Sequence, residues 1–407
     1  MKKRVVITGM EILSSIGNSL HDFWRSAQDG KSGIERIQCY NPEPYSTQIG
    51  GEIKGFDSSQ IDSIEKPERL TKVTQYALYC AQGALRHAGL SANETADAGV
   101  FIGTGWGGTP EIETAFETFY TRSWKKIPPL TVLKGMPNSI ANHVAMHFGL
   151  TGPNVTLSNA CVSSAEAICT AAQQILQGRV SVALCGGAES LLWEGVMAAW
   201  CRMRVMSTQN DNPAESCRPF DKERDGMVIA DGAGMLVLED YEHAKARGAT
   251  IYAELLGWGA SCDATHITVP SVTGQTKSIQ LALDDARVAP TDIQYINAHG
   301  TGTYLNDKTE TLSIKTVFGD VAYDIPVNAQ KAMIGHTIGA AGAMDIIATT
   351  LSLYHGLLLP TINLKTPDPE CDLDYITEGA RKQDVEIAMS NHFAFGGANN
   401  VLILKKY

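Results

Sequence analysis

The chain has 407 residues, with 33 lysines and arginines against 44 aspartates and glutamates, a formal charge of −11. That length exceeds one ordinary small core and implies two domains or a duplicated unit of about 200 residues. The acidic balance excludes a nucleic-acid binder that relies on bulk charge. Hydrophobic residues at 44% and charged residues at 19% belong to a globular protein rather than a disordered polyelectrolyte.

Taken in chain order, residues 5–9 read as a short buried strand and residues 98–102 as another, running into Gly103-Thr104-Gly105. Residues 154–157 lead to Cys161, and an alanine-rich stretch to Gly178 reads as a buried helix. Residues 180–184 form a strand ending in Cys185-Gly186-Gly187-Ala188-Glu189, and residues 235–238 another. The second part repeats this order. Residues 253–256 are a strand, 293–297 run into Gly300-Thr301-Gly302, and 327–328 lead to His336 and a second small-residue helix from Thr337. Residues 387–390 precede Phe395-Gly396-Gly397-Ala398-Asn399, and residues 401–404 close the chain. Short apolar strands alternating with helical segments imply βαβ units around buried sheets, here two pseudo-duplicated α/β halves. The expected division is 1–250 and 251–407. No apolar run approaches the 18 or so residues of a membrane span. The stretch after the basic start Met1-Lys2-Lys3-Arg4 is too short for a secretory signal.

The nine cysteines are scattered, odd in number and never in Cys-x-x-Cys pairs, which fits a reduced, cytoplasmic chain without a zinc ribbon or disulfide framework. One of them stands out. Cys161, in Asn159-Ala160-Cys161-Val162-Ser163-Ser164, falls where a strand turns into a helix, a position whose dipole should lower a thiol's pKa toward thiolate. Small neighbours leave a substrate room to approach, although a buried cysteine can also be inert packing. His299, in Asn297-Ala298-His299-Gly300-Thr301-Gly302-Thr303, stands at a strand end where it can act as acid, base or hydrogen-bond donor. Lys331-Ala332-Met333-Ile334-Gly335-His336, followed by Gly339-Ala340-Ala341-Gly342, places a lysine and a second histidine on one tight loop. Either histidine could equally be structural. No second ligand stands at helical or loop spacing, so no metal set is expected.

Together, Cys161, the His299 to Thr303 loop, Lys331 to His336 with its glycines, and Phe395-Gly396-Gly397 resemble the β-ketoacyl-[acyl-carrier-protein] synthases. The likeness is closest to the elongating synthase II group and the ketosynthases of type II polyketide systems. Arg218-Pro219-Phe220-Asp221 with Asp225-Gly226, residues 261–266 and Thr361-Ile362-Asn363-Leu364 extend it over nearly the whole chain. The resemblance implies the thiolase fold, a five-layered αβαβα arrangement of two pseudo-duplicated halves. It also implies decarboxylative Claisen condensation. Cys161 would take an acyl group from the phosphopantetheine of acyl carrier protein, and malonyl-carrier protein would lose CO2 to give the attacking enolate. His299 and His336 would stabilise the enolate oxygen, Lys331 would hold the local field, the backbone N–H groups of Cys161 and Phe395 would form the oxyanion hole, and Phe395 and Gly396 would belong to the oxyanion-hole and gating loop. No bound cofactor is implied, because the carrier arm brings the substrate.

Neighbouring readings fit less well. Degradative thiolases use a second cysteine near the C-terminus, whereas the last one here, Cys371, lies outside the Phe395 loop. Initiating synthases carry a Cys-His-Asn set where this chain has His336, and a non-catalytic chain-length subunit usually lacks the cysteine. Departures from housekeeping synthase II are local: Val162 follows the nucleophile, Ser164 stands where glycine is usual, and Asp345 replaces a common glutamate. His392 and Ala394 replace serine and glycine in the gating loop. They favour a specialised polyketide or polyene system over general fatty-acid elongation. Trp106 and Trp200 are expected to line the acyl pocket. Lys66, Arg69, Lys125, Lys126 and Arg204 are the candidate docking patch for an acidic carrier protein. The family's dimers imply a homodimer, or a heterodimer with a ketosynthase-like chain-length subunit, in which the strand of residues 154–159 pairs across the two-fold.

Overall fold

The computed structural model describes residues 3–64 and 66–407. Ten strands carry the fold. The first half supplies β1 (Val5–Leu13), β2 (Gly99–Gly103), β3 (Asn154–Leu157), β4 (Val182–Glu189) and β5 (Gly232–Asp240). The second supplies β6 (Ala253–Cys262), β7 (Tyr295–Asn297), β8 (Val327–Asn328), β9 (Ile387–Phe393) and β10 (Ala398–Lys406). Their spatial order is β3-β2-β4-β5-β1-β6-β10-β9-β7-β8. In the first half β3, β2 and β4 run parallel, β5 is antiparallel to β4, and β1 is antiparallel to β5. The second half repeats that pattern, with β8, β7 and β9 parallel and β10 and β6 antiparallel. A short antiparallel ladder joins the halves, Val5 opposite Leu255 and Ile7 opposite Ala253.

Parallel neighbours need crossover connections, and helices provide them. Outer helices α1 (Lys72–Ala88), α2 (Thr109–Thr121) and α3 (Ser139–Phe148) precede α4 (Ser163–Leu176) and α5 (Glu194–Met203). In the second half α6 (Val272–Ala286) and α7 (Tyr304–Phe318) precede α8 (Ala341–His355). Helices α1 and α3 cover the first half-sheet and α6, backed by α7, covers the second, while α4 and α8 lie between the two. Five layers, αβαβα, result.

The central layer explains the two small-residue helices. Every residue of α8 from Ala341 to Leu353 is buried, so its apolar positions surround the whole helix. Two of its hydroxyls are satisfied within the helix: Thr349 and Thr350 donate to the carbonyls of Asp345 and Ile346, each at 2.8 Å. A Cβ on Gly342 would fall 2.7 Å from the backbone nitrogen of Ala165, so glycine sets how closely α4 and α8 approach. The amide of Ala343 donates to Ser164 Oγ at 2.9 Å and ties the helices together. Every strand expected from the sequence is present. Most extend further, β1 continuing to Leu13 and β5 spanning Gly232–Asp240, because buried strands tolerate the Gly and acidic residues at their ends when these find partners. The helix expected from Thr337 starts later, at Ala341, since residues Ile338–Ala340 form a 3₁₀ turn. Among the described residues no helix is long and apolar enough to cross a membrane.

Candidate active site

The internal repeat delivers the chemistry to equivalent loops. Cys161 follows β3, and the Lys331 to His336 segment follows the matching β8; His299 follows β7, and Phe395 lies between β9 and β10. Cys161 sits in the 3₁₀ turn Ala160–Val162, just before α4. The turn is sharp enough to hold Ala160 at φ +46, a conformation that costs a non-glycine residue about 1–3 kcal/mol and persists only where packing enforces it. Here the enforcing contact is Gly103 at the end of β2, where a Cβ would lie 2.3 Å from the backbone of Ser163. The opposite loop carries the same signature, with Ile338 at φ +44 two residues after His336.

Buried carboxylates set the remaining loops. Glu310 on α7 accepts the amides of His299 and Gly300 at 2.8 and 2.9 Å, fixing the strand-to-loop turn that presents the imidazole. Glu189 at the end of β4 accepts the amides of Gly105 and Trp106, tying down the loop after β2. Burial raises both acids, Glu310 to about 7 and Glu189 to about 8, against the pull of those amides. The His336 amide donates to the Val228 carbonyl at 2.7 Å.

These loops bring three of the expected residues into contact. His336 Nε2 lies 3.1 Å from Cys161 Sγ, and the two imidazoles meet edge to face with centroids 5.3 Å apart. All three side chains are buried. Lys331 Nζ donates to Asp345 Oδ2 at 2.8 Å beneath them, and the Gln330 amide donates to Asp345 Oδ1 at 2.6 Å. Burial works against the Asp345 carboxylate, but the Lys331 ammonium, seconded by His392, holds the group below its usual range.

Electrostatics corrects one expectation. Burial pushes the Cys161 thiol up, to about 12, although the amide hydrogens of Phe395 and of Cys161 itself and the Lys331 charge pull the other way. Desolvation therefore outweighs the expected helix-terminus effect. Burial, seconded by Lys331, also lowers His336 to about 3 and His299 well below the usual imidazole range. Both shifts run against a thiolate–imidazolium pair at Cys161 and His336.

The Phe395 loop folds over the nucleophile. The backbone N–H groups of Phe395 and of Cys161 itself favour negative charge at the Cys161 sulfur, which suits an oxyanion hole. Gly396 cannot join them, because its N–H is already committed to the Ile267 carbonyl at 2.7 Å. Gly396 and Gly397 instead take φ of +87 and +78, which lets the loop turn over the sulfur.

A cavity of about 260 Å³ leads from the surface to Cys161, His299 and His336; Thr301, Thr303 and Ile267 form part of its wall. Arg204, exposed at a left-handed φ of +57, also lines it. The other docking candidates do not. Lys66 lines a separate hollow with His143, Met146 and His147, exposed Arg69 ends the neighbouring turn, and Lys125 and Lys126 sit in the turn after α2. Trp106 and Trp200 are not in the cavity wall either. They belong to the apolar cluster that packs around Cys161, with ring centroids 6.2 Å apart, and Trp200 lies 6.1 Å from Phe395.

Spacing along the chain could not reveal that Cys161, His299 and His336 present ligand atoms within 4.8 Å of one another, a soft donor set able to hold a zinc-like ion. Sequence reasoning also assigned no role to Glu189, Glu310 or Gln330. The one available signal was an acidic residue directly after Cys185-Gly186-Gly187-Ala188, where a buried strand would otherwise be wholly apolar.

Comparisons with known proteins agree with this geometry. The family descriptions "Beta-ketoacyl synthase, N-terminal domain" and "Beta-ketoacyl synthase, C-terminal domain" match residues 2–244 and 252–365. The chain is 39% identical over 410 residues to 3-oxoacyl-[acyl-carrier-protein] synthase 2 of Synechocystis sp., covering 100% of this chain and 99% of that one. It is 41% identical over 411 residues to the enzyme of the same name from Staphylococcus aureus, with the same coverage. Among solved structures, the ishigamide ketosynthase/chain length factor superposes with a TM-score of 0.94 at 34% identity, covering 100% of both chains. A type II polyketide ketosynthase solved with its acyl-carrier protein gives 0.92 at 31%, again over 100% of both. With its five layers and its Cys-His-His site, the chain belongs to the β-ketoacyl synthase family of acyltransferases and has the thiolase fold.

Proposed function

We propose that the protein condenses malonyl-carrier protein with an acyl group held on Cys161, in a specialised polyketide or polyene type II system. The observation that carries this reading is the 3.1 Å approach of His336 Nε2 to Cys161 Sγ, beside His299 and at the end of an open cavity. The division of labour follows the halves, 1–250 supplying the nucleophile and 251–407 the histidines and lysine.

In the first step the thiol proton passes to His336 Nε2 as sulfur attacks the acyl thioester carbonyl of the phosphopantetheine arm. The amides of Cys161 and Phe395 receive the oxyanion, and the departing phosphopantetheine sulfur takes the proton from His336 as the tetrahedral intermediate collapses. Burial, which raises the thiol and lowers the imidazole, suits a step in which charge appears only as the reaction proceeds. In the second step the malonyl carboxylate leaves as CO2, and its bonding electrons form an enolate. His299 and His336, each with a proton on Nε2, donate to the enolate oxygen. Neither Nδ1 has a protein hydrogen-bond partner, so both tautomers are open to these rings. The enolate carbon then attacks the acyl carbonyl, the C–S bond breaks, and the departing Cys161 thiolate takes one proton from water, which restores the thiol.

The carrier arm would enter past Arg204, the one docking candidate on the cavity wall. Beyond the cavity wall, the acyl chain would have to open a path into the apolar cluster that Trp106 and Trp200 fill beside Cys161, where flat conjugated or aryl groups can stack and long saturated chains meet bulk. Assembly is as a homodimer or a heterodimer with a ketosynthase-like subunit, in the cytoplasm. Its support is the edge strand β3, whose Asn154 and Val155 are exposed, and the bare apolar surface of Phe116, Tyr120, Trp124 and Val132. The reading is tested by intact-protein mass spectrometry after incubation with acyl-carrier proteins. One acyl mass on the wild type and none on Cys161→Ala is expected; labelling of both, or of neither, would overturn it. Housekeeping fatty-acid elongation remains the second reading, favoured by the two synthase 2 relatives.

A further inference from the structure

A third imidazole, outside the cavity wall, stands against the Lys331–Asp345 pair. His392 on β9 is fully buried, with Nδ1 3.6 Å from Asp345 Oδ2 and Nε2 3.1 Å from Ser390 Oγ. The Asp345 oxygen it faces is the one that accepts from Lys331, while Gln330 occupies the other. At 3.6 Å the imidazole–carboxylate approach is a charge–dipole contact rather than a hydrogen bond.

We propose that His392 is a positioning residue that steers the Asp345 carboxylate onto Lys331 and thereby fixes the charge beneath His299 and His336. The inference rests on the ketosynthase reading of the site. The charged and titratable groups facing this region are Lys331, Asp345, His299 and His336. A second buried cation would leave one carboxylate to serve two positive charges, so His392 works as a neutral ring. A neutral ring has one donor nitrogen and one acceptor. With the proton on Nδ1, the N–H dipole points at the carboxylate and Nε2 accepts the Ser390 hydroxyl. The other tautomer would turn a lone pair toward Asp345. The two neighbours therefore select the Nδ1–H form, and that form draws the carboxylate away from no partner it already has.

Two measurements test the proposal. Nitrogen-15 NMR of histidine-labelled wild-type protein should assign His392 to the neutral Nδ1–H tautomer near neutral pH. An imidazolium or an Nε2–H ring would overturn the inference whatever the enzyme's substrate proves to be. Steady-state condensation is then compared for His392→Asn, which keeps a side-chain N–H donor, and His392→Leu, which keeps bulk without one. The leucine variant should lose about tenfold in kcat with KM for both carrier substrates within about twofold, and asparagine should recover most of the loss. Equal losses in both variants would mean packing alone and overturn the role, as would a leucine variant as fast as wild type. If leucine prevents folding, Ser390→Ala against Ser390→Thr decides instead: only the alanine variant should lose kcat, and an alanine variant as fast as wild type contradicts the proposal. A wild type that does not condense at all would refute the ketosynthase reading and leave the tautomer result to judge His392.

Discussion

Replacing Trp106 with isoleucine should widen the range of acyl groups that load Cys161. Trp106 is half-buried and packs 6.2 Å from Trp200, which in turn packs 6.1 Å from Phe395 at an interplanar angle of 33°. Forcing a saturated C14 or C16 chain into such a filled cluster costs about 1–3 kcal/mol. At 1.36 kcal/mol per decade, that amounts to roughly 5- to 150-fold slower loading by the wild type. A flat polyenoyl or aryl chain regains about 0.5–1.5 kcal/mol by stacking on the indoles and is discriminated against less. The variant also loses one aromatic pair, a change of about 0.5–1.5 kcal/mol that should leave it folded. Loading of Cys161 by short, long saturated and polyenoyl acyl-carrier substrates is followed by intact mass in both proteins. Trp106→Ile should gain long-chain loading by at least about fivefold and lose part of its preference for polyenoyl groups. Rapid loading of saturated C16 by the wild type would refute the reasoning.

Three further outcomes are expected. The rate of Cys161 alkylation by iodoacetamide should climb about tenfold per pH unit through pH 9, because a thiol held near 12 stays protonated below that; a plateau reached by pH 7 would reveal a thiolate pair instead. Arg204→Glu should raise the KM for acyl-carrier protein several-fold while small thioesters react normally, and equal damage to both would make Arg204 structural. His299→Ala and His336→Ala should each slow malonyl decarboxylation by about 10²–10³-fold while some Cys161 acylation survives, and unchanged decarboxylation in either would remove that histidine from the mechanism.

The strands were legible because each is a short apolar run ending in glycine-rich loops, and the repeated order of those runs foreshadowed the duplicated sheet. Cys161, His299, Lys331 and His336 were legible for the same reason: each stands at a strand end among small residues that allow a tight turn. What the sequence did not disclose depends on burial and on distant pairing. The helix-terminus argument for Cys161 failed because it counts the local dipole and not the desolvation created by residues from both halves. The Gly396 N–H is tied to Ile267, more than a hundred residues earlier in the chain, a pairing no local pattern announces. Glu189 and Glu310 could not be assigned because the contacts that fix the loops are to backbone amides, which leave no residue-type signature. The docking candidates follow the family's docking surface and their charge, and neither says how far each stands from the nucleophile; of the five, Arg204 lines the cavity.

The central claim is that Cys161 holds the acyl group while the two histidines drive loss of CO2. It is tested most directly by mixing acyl-carrier and malonyl-carrier proteins with wild type and with Cys161→Gln, and measuring CO2 and β-ketoacyl-carrier product together. Wild type should release one CO2 per β-ketoacyl product, and the glutamine variant should release CO2 with no condensation product. Condensation by Cys161→Gln, or its absence from wild type across short, saturated and polyenoyl acyl donors, would contradict the account.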